Sequence, residues 1–123
     1  MTANNTATKK AKGRKLQQQI ANDLIKHINH QGLYTDEPEL TELDVRSIGM
    51  GQNGRDIELS SYGELKIPFD IECKNQEKAS IWQWIEQAEK NNKTNLRIPL
   101  VVFKRNRSKT YAVIEWDNLL SLL

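Results

Sequence analysis

The sequence predicts an α/β fold in which a helix precedes a three-stranded meander, a second helix and two further strands of a mixed sheet. Three observations carry this prediction. Polar and apolar residues alternate at 56–60 and 69–74, as they do in strands with one solvent-facing side. The continuous apolar run at 98–103 is typical of a buried strand. An N-terminal helix is indicated by apolar residues at every fourth position, namely Leu16, Ile20, Leu24 and Ile28.

The N-terminal part divides into a tail and the start of one domain. Residues 1–12 show no apolar periodicity and are expected to form a disordered basic tail. The first helix is expected from Arg14 to about His30, within a single domain at 13–123. No internal repeat or second domain is visible.

The later elements follow from local signals. A first strand is expected at 43–48, and a turn at 61–63 follows the second strand. A last strand is expected at 111–114 and a terminal helix at 118–122. Ser80 and Gln83 match the capping-box pattern, in which the third residue after the N-cap reaches back to it. The second helix is therefore predicted to begin after Ser80 and to end near Asn91.

The composition favours a soluble globular protein and argues against several other classes. Charged residues make up 28% of the 123-residue chain and hydrophobic residues 37%. No apolar run approaches the roughly 18 residues that a membrane span needs, and no secretory signal is visible. The one cysteine, Cys73, cannot form an internal disulfide. We therefore expect an intracellular, cytoplasmic protein.

The net charge of +2 hides two basic clusters. The N-terminal basic cluster comprises Lys9, Lys10, Lys12, Arg14 and Lys15. Since residues 1–15 carry +5 and no acid, the remaining chain carries −3. The C-terminal basic cluster comprises Lys104, Arg105, Arg107 and Lys109. An acidic metal site flanked by phosphate-binding surfaces fits this distribution, and a solvating tail plus an ordinary charged turn fits it equally well.

Asp56, Glu72 and Lys74 are the candidate catalytic residues. Glu72 and Lys74 lie two apart on a predicted strand and therefore project from the same face. Asp56 begins the preceding strand, so pairing of the two strands would bring both carboxylates together. Such an oxygen site suits Mg²⁺, which would activate a water for attack on a phosphodiester, while Lys74 orients that water or neutralises the phosphate. The alternative is an exposed cross-strand ion pair formed by the E-x-K triplet.

The order of these residues resembles a known nuclease pattern. Gly54-Arg55-Asp56 followed by Ile71-Glu72-Cys73-Lys74 resembles the PD-(D/E)xK superfamily, with Arg55 standing where the superfamily name has proline. The resemblance implies a restriction-endonuclease-like core and a metal site at Asp56, Glu72 and Cys73. Residues 12–114 also resemble Holliday junction resolvases, through Lys12-Gly13 and through Ser47-Ile48-Gly49 before a glycine-rich turn. That likeness implies Mg²⁺, with Mn²⁺ expected to substitute, and a homodimer that nicks two strands of a four-way DNA junction. The DNA contacts are assigned to Lys12, Arg14, Lys15, Arg55, Lys104, Arg105 and Arg107.

Gln17 departs from the resolvase pattern, which has a glutamate four residues beyond the glycine. At 100° per residue, Gln17 falls within the apolar stripe of the first helix. Its carbonyl oxygen either helps to hold a water on the metal, which makes it a candidate catalytic residue, or belongs to a frayed first turn in solvent.

Several residues have two open interpretations. The resemblance to the superfamily implies that Gln87 lies near the metal or the phosphate, and the alternative is a solvent-facing glutamine. Asp70 and Glu58 share faces with Glu72 and Asp56 and are expected as reserve ligands. His27 and His30 have zinc-ligand spacing but no supporting ligand, so we expect surface residues. Trp82 lies off the apolar helix face, where it suits a dimer contact or nucleotide stacking.

The sequence therefore predicts a Mg²⁺-dependent DNA endonuclease, with Holliday junction resolution by a homodimer as the specific expectation. A general, phage DNA-degrading or restriction-like endonuclease is the alternative within the same chemistry. A DNA-binding module that has lost catalysis on the same fold is the alternative from another class.

Overall fold

A computed structural model describes residues 6–33, 35–48, 56–92, 94 and 96–123, with side chains from Thr8 onward. The elements in chain order are α1 (Thr6–Gln31), β1 (Val45–Ser47), β2 (Ile57–Leu59), α2 (Ser61–Lys66), β3 (Phe69–Asn75), α3 (Ile81–Asn91), β4 (Ile98–Lys104), β5 (Tyr111–Val113) and α4 (Trp116–Ser121). This order confirms the α/β prediction. Within the described ranges, no helix is long and apolar enough to cross a membrane.

Helix α1 covers one face of the sheet with its apolar stripe. Leu16, Ile20 and Ala21 are buried in the main core together with Ile71 and Cys73 of β3. The helix begins at Thr6, well before the expected start at Arg14. Residues 6–12 are therefore helical, and the expectation of a disordered tail is wrong for them. Lysine and alanine are good helix formers and extend a helix that packing has already nucleated.

The strands form two sheets. β1 pairs antiparallel with β2, while β4 lies between β3, to which it is parallel, and β5, to which it is antiparallel. The second sheet is thus mixed, as predicted. The sequence predicted that β2 and β3 pair within one meander, but no continuous ladder joins these two strands. The backbone N–H of Asp56, just before β2, donates to the carbonyl of Ile71 in β3 at 3.1 Å. The two sheets therefore meet where Asp56 enters β2.

A short helix separates β2 from β3 where the sequence predicted only a turn. Ser60 is the N-cap of α2, and its hydroxyl accepts a 3.0 Å hydrogen bond from the backbone N–H of Gly63. A Cβ atom at Gly63 would lie 2.5 Å from the carbonyl oxygen of Asp44. The glycine that suggested a turn is therefore needed for close packing of α2 against the loop before β1.

The β3–α3–β4 unit places the functional side chains. Side chains alternate along β3, so Ile71 and Cys73 enter the α1 core while Glu72 and Lys74 project to the opposite face. On that face α3 packs through Trp84 and Ala88, which form a second core with Val101 of β4. The bounds of α3 agree with the prediction, but the Ser80 side chain makes no capping hydrogen bond, so the predicted capping box is wrong.

Candidate active site

The carboxyl group of Asp56 is tied to the backbone of β3. Its Oδ2 accepts a 2.7 Å hydrogen bond from the backbone N–H of Cys73, and its own N–H donates to the carbonyl of Ile71. These two bonds hold the residue against β3 even though the adjoining strands form no ladder. A carboxylate fixed by backbone groups keeps its position without help from a flexible partner.

Glu72 is brought to Asp56, as the sequence predicted. Its side chain is only 3% exposed, and its carboxyl group lies within hydrogen-bonding reach of that of Asp56. Burial raises the pKa of Glu72 from 4.5 to about 7, and the nearby charge of Asp56 acts in the same direction. A buried carboxyl group next to a second carboxyl group is a costly arrangement that a bound cation would relieve.

Lys74 is half-buried on the same face of β3 as Glu72. Its positive charge opposes the upward shift in the pKa of Glu72, so the two groups are electrostatically linked. The sequence prediction of a carboxylate pair with a neighbouring lysine is therefore matched in geometry.

Cys73, a metal position by resemblance to the nuclease superfamily, approaches Asp56 through its backbone. Its thiol lies in the α1 core, where burial raises the pKa of the thiol far above its ordinary value. The thiol lies on the face of β3 opposite to Glu72, away from the carboxylate pair. The N–H of Cys73 points to Asp56, and the N–H and C=O of one strand residue point to the same edge. The Cys73 carbonyl oxygen therefore lies on the edge of β3 that faces Asp56.

The donors fit a hard divalent cation. Two carboxylates and one backbone carbonyl supply only oxygen, which Mg²⁺ prefers, and Mg²⁺ retains water in the remaining positions. Among the described residues there is no group of three or more His, Cys, Asp or Glu side chains that could hold a metal. His27 and His30 are exposed, as expected.

The side chain of Asn91, which the sequence analysis did not single out, also contacts the carboxylate pair. Asn91 is the last residue of α3, and its Nδ2 donates a 2.7 Å hydrogen bond to Oε1 of Glu72. Gln87, one turn earlier on α3, is exposed. An asparagine at a helix end usually indicates a cap, and nothing local predicts a partner 19 residues away.

Gln17 is buried in α1, with 1% of its surface exposed. The frayed-turn interpretation is therefore wrong, because α1 already extends 11 residues before this position. The α1 face that carries Gln17 packs on β3 from the side of Ile71 and Cys73. A role for its carbonyl oxygen at the metal stays a prediction.

The two reserve ligands have other roles. Asp70 is buried in an ion pair, in which Nε of Arg97 donates to Oδ1 and Nδ2 of Asn92 donates to Oδ2, each at 2.8 Å. Glu58 forms an ion pair with Arg46, its cross-strand partner at the surface. Neither carboxylate is therefore available to the Asp56–Glu72 site.

The two basic clusters lie near the carboxyl end of β3. Asn75 at this end donates from Nδ2 to the carbonyl of Lys12 at 3.5 Å, and it pairs in register with Lys104. Arg14, Lys15, Arg105 and Arg107 are exposed, and Arg107 adopts a left-handed conformation with φ of 62°. Arg55 and the glycine-rich connection lie outside the described residues.

Comparisons with known proteins identify a family for this chain. The model of a family described as "Phage putative PDDEXK endonuclease" matches residues 8–123. A search of the curated proteins and a search of the solved structures gave no match.

Proposed function

Because the chain belongs to the phage PDDEXK endonuclease family, we propose that it hydrolyses DNA phosphodiester bonds with Mg²⁺ held by Asp56 and Glu72. The observation that carries this proposal is the contact between the buried carboxyl group of Glu72 and the half-buried carboxyl group of Asp56, next to Lys74. Mn²⁺ would substitute, since it accepts the same oxygen ligands. A cytoplasmic location agrees with such a substrate.

Each residue has a distinct part in the proposed mechanism. The cation, when bound, lowers the pKa of a water and stabilises charge on the phosphate. Asp56 and Glu72 would supply its negative ligands, and the Cys73 carbonyl would supply a neutral one. Lys74 would donate a hydrogen bond to the phosphate, or orient the attacking water, and neutralise the charge that develops during attack.

The DNA surface is proposed to include both basic clusters. Both approach the end of β3 that follows Lys74, through the contacts of Asn75 with Lys12 and Lys104. Phosphates on either side of the scissile bond would then meet positive charge. Arg55 is part of this proposal by its position next to Asp56 in the sequence.

We propose further that the enzyme acts as a homodimer on four-way junctions. One site makes one nick, and resolution needs two nicks related by a two-fold axis, so a second copy must supply the second site. The apolar residues that remain exposed support such an interface. Trp82 is 81% exposed, and the C-terminal segment exposes Trp116, Leu120, Leu122 and Leu123.

A general phage DNA-degrading nuclease is the second candidate, favoured by the description of the matching family, which names no junction. A cleavage assay with Mg²⁺, Mn²⁺ or EDTA on a four-way junction, a linear duplex and a single strand separates the candidates. Junction preference by a dimer, measured by sedimentation, supports resolution. A monomer that cuts linear duplex as fast as junction supports the general nuclease. Junction binding without cleavage in either metal contradicts catalysis.

A further inference from the structure

Asn91 makes a hydrogen bond that does not serve any backbone group of the fold. Its Nδ2 donates to Oε1 of Glu72 at 2.7 Å, from the final residue of α3 across to the middle of β3. The helix end is closed separately, because the backbone N–H of Asn92 donates to the carbonyls of Ala88 and Glu89. The Asn91 side chain is therefore not needed as the cap of α3.

The carboxyl group of Glu72 needs such a partner to have one orientation. β3 fixes the Cα and Cβ of Glu72, but the terminal torsion of a glutamate is broad and leaves the carboxyl plane free to turn. Asp56 is held by the backbone of Cys73. Besides its contact with the Asp56 carboxyl group, the Glu72 carboxyl group accepts a hydrogen bond from a donor on α3, the Asn91 amide.

Asp70 lies on the same face of β3 as Glu72, and its surroundings show how the environment of a structural carboxylate differs from that of a metal-binding one. Asp70 receives the guanidinium of Arg97 as well as the amide of Asn92, so its charge is cancelled by a buried cation. Asn91 instead gives Glu72 a neutral donor, which orients the carboxylate and leaves its negative charge for a metal ion.

We propose that Asn91 is a positioning residue that orients the carboxylate of Glu72 for the divalent cation. This inference rests on the proposed function. Groups that hydrogen-bond to metal ligands typically account for 10–100-fold in metal affinity. The Asn91→Ala variant should therefore bind Mn²⁺ about 10-fold or more weakly, with cleavage at saturating Mn²⁺ less affected than the metal requirement.

Asn92 provides a matched control. It is also an asparagine at the end of α3, and it also donates from Nδ2 to a buried carboxylate of β3, at 2.8 Å. Asn92→Ala should lower thermal stability yet leave Mn²⁺ affinity near that of the wild type. If Asn91 had only a structural role, the Asn91→Ala and Asn92→Ala variants would have the same Mn²⁺ affinity.

The experiment is calorimetric titration of Mn²⁺ into the full-length wild type, Asn91→Ala and Asn92→Ala, with melting curves of each. A selective loss of affinity in Asn91→Ala supports the inference. Equal affinity in Asn91→Ala and wild type, or an equal loss in both variants, overturns it. A wild type that binds no Mn²⁺ and cuts no DNA overturns the proposed function together with the inference.

If the Asn91→Ala variant does not fold, a measurement on the wild type still tests the inference. In a Mg²⁺ titration followed by NMR, the side-chain amide resonances of Asn91 should move as the site fills, while those of Asn92 move little. Asn91 resonances that stay fixed at saturating Mg²⁺ would contradict the inference.

Discussion

The backbone N–H of Cys73 donates to Oδ2 of Asp56 at 2.7 Å, and together with the bond from the Asp56 N–H to the Ile71 carbonyl it joins two sheets that share no continuous ladder. A continuous ladder between β2 and β3 would bury the strand edges that face each other. The gap leaves the Asp56 carboxyl at that edge, next to Glu72 and the Cys73 carbonyl. The interrupted meander therefore leaves this edge of β3 open beside the two carboxyl groups.

Asp56→Asn or Glu72→Gln should remove metal-dependent cleavage and leave DNA binding near normal. Each change removes one negative charge from the site while keeping the size of the side chain. We expect cleavage to fall by at least about 100-fold, the loss typical of removing a group that stabilises transition-state charge. Cleavage and filter-binding assays on the same DNA measure the two effects. Cleavage at the wild-type rate by either variant would refute the assigned site.

The metal-free protein should lose stability as the pH rises from 4.5 to about 7. The pKa of Glu72 is raised in the folded state, so its contribution is complete below the unfolded-state value of 4.5 and is lost as the pH passes about 7. The total loss is up to about 3 kcal/mol. Urea denaturation in EDTA across this range, compared with Glu72→Gln, isolates the effect. The free energy of unfolding of Glu72→Gln should not show this fall between pH 4.5 and about 7. If it changes with pH equally in the two proteins, the assignment is contradicted.

The Asp70–Arg97 pair should contribute far more to stability than the Arg46–Glu58 pair. Arg97→Met leaves the buried Asp70 charge without its cation, which costs about 3–5 kcal/mol. Glu58→Gln breaks an exposed pair and should cost at most about 1 kcal/mol. Chemical denaturation of both variants gives the comparison. A small effect of Arg97→Met would mean that Asp70 is more solvated than its 5% exposure indicates.

The site carboxylates could be predicted from the sequence, while their partners could not. Strand alternation places Glu72 and Lys74 on one face, and Asp56 follows from its position before the preceding strand. Asn91 and Arg97 reach β3 from 19 and 27 residues away, so no local pattern indicates them. Helix α2 was missed for a similar reason, since Gly63 suggested a turn. The glycine is needed there because a Cβ atom would meet the carbonyl oxygen of Asp44, which lies in a different part of the chain.

Cys73→Ala should retain metal-dependent cleavage. The thiol is in the core and only the backbone of Cys73 faces Asp56, so the substitution removes packing but keeps the carbonyl oxygen and the N–H. We expect a stability loss of about 1–2 kcal/mol, within the usual range for a core truncation. Mn²⁺ titration and cleavage assays test this. Loss of Mn²⁺ binding by a folded variant would instead assign the thiol to the metal. Native Cys73 should also react slowly with iodoacetamide at pH 8, because burial raises its pKa.

The first turns of α1 should add DNA affinity without adding selectivity. Lys9 and Lys10 are exposed and Lys12 is half-buried. Contacts of such lysines with phosphates carry no sequence information, so they add affinity alone. Each neutralised phosphate contributes about 0.9 to the slope of log affinity against log salt, so replacing all three lysines by alanine should flatten that slope by roughly 2 to 3. The ratio of junction to duplex affinity should stay the same.

Lys26→Ala is the control for that triple variant. Lys26 is exposed on α1 near its opposite end, away from the contact of Lys12 with β3, so its removal should leave the salt slope unchanged. Fluorescence anisotropy at several salt concentrations measures both slopes. Alanine is a good helix former, so the triple variant should keep α1 intact, which circular dichroism verifies. An unchanged slope in a folded triple variant would show that these lysines do not contact DNA, and would leave the C-terminal basic cluster as the proposed phosphate-binding surface.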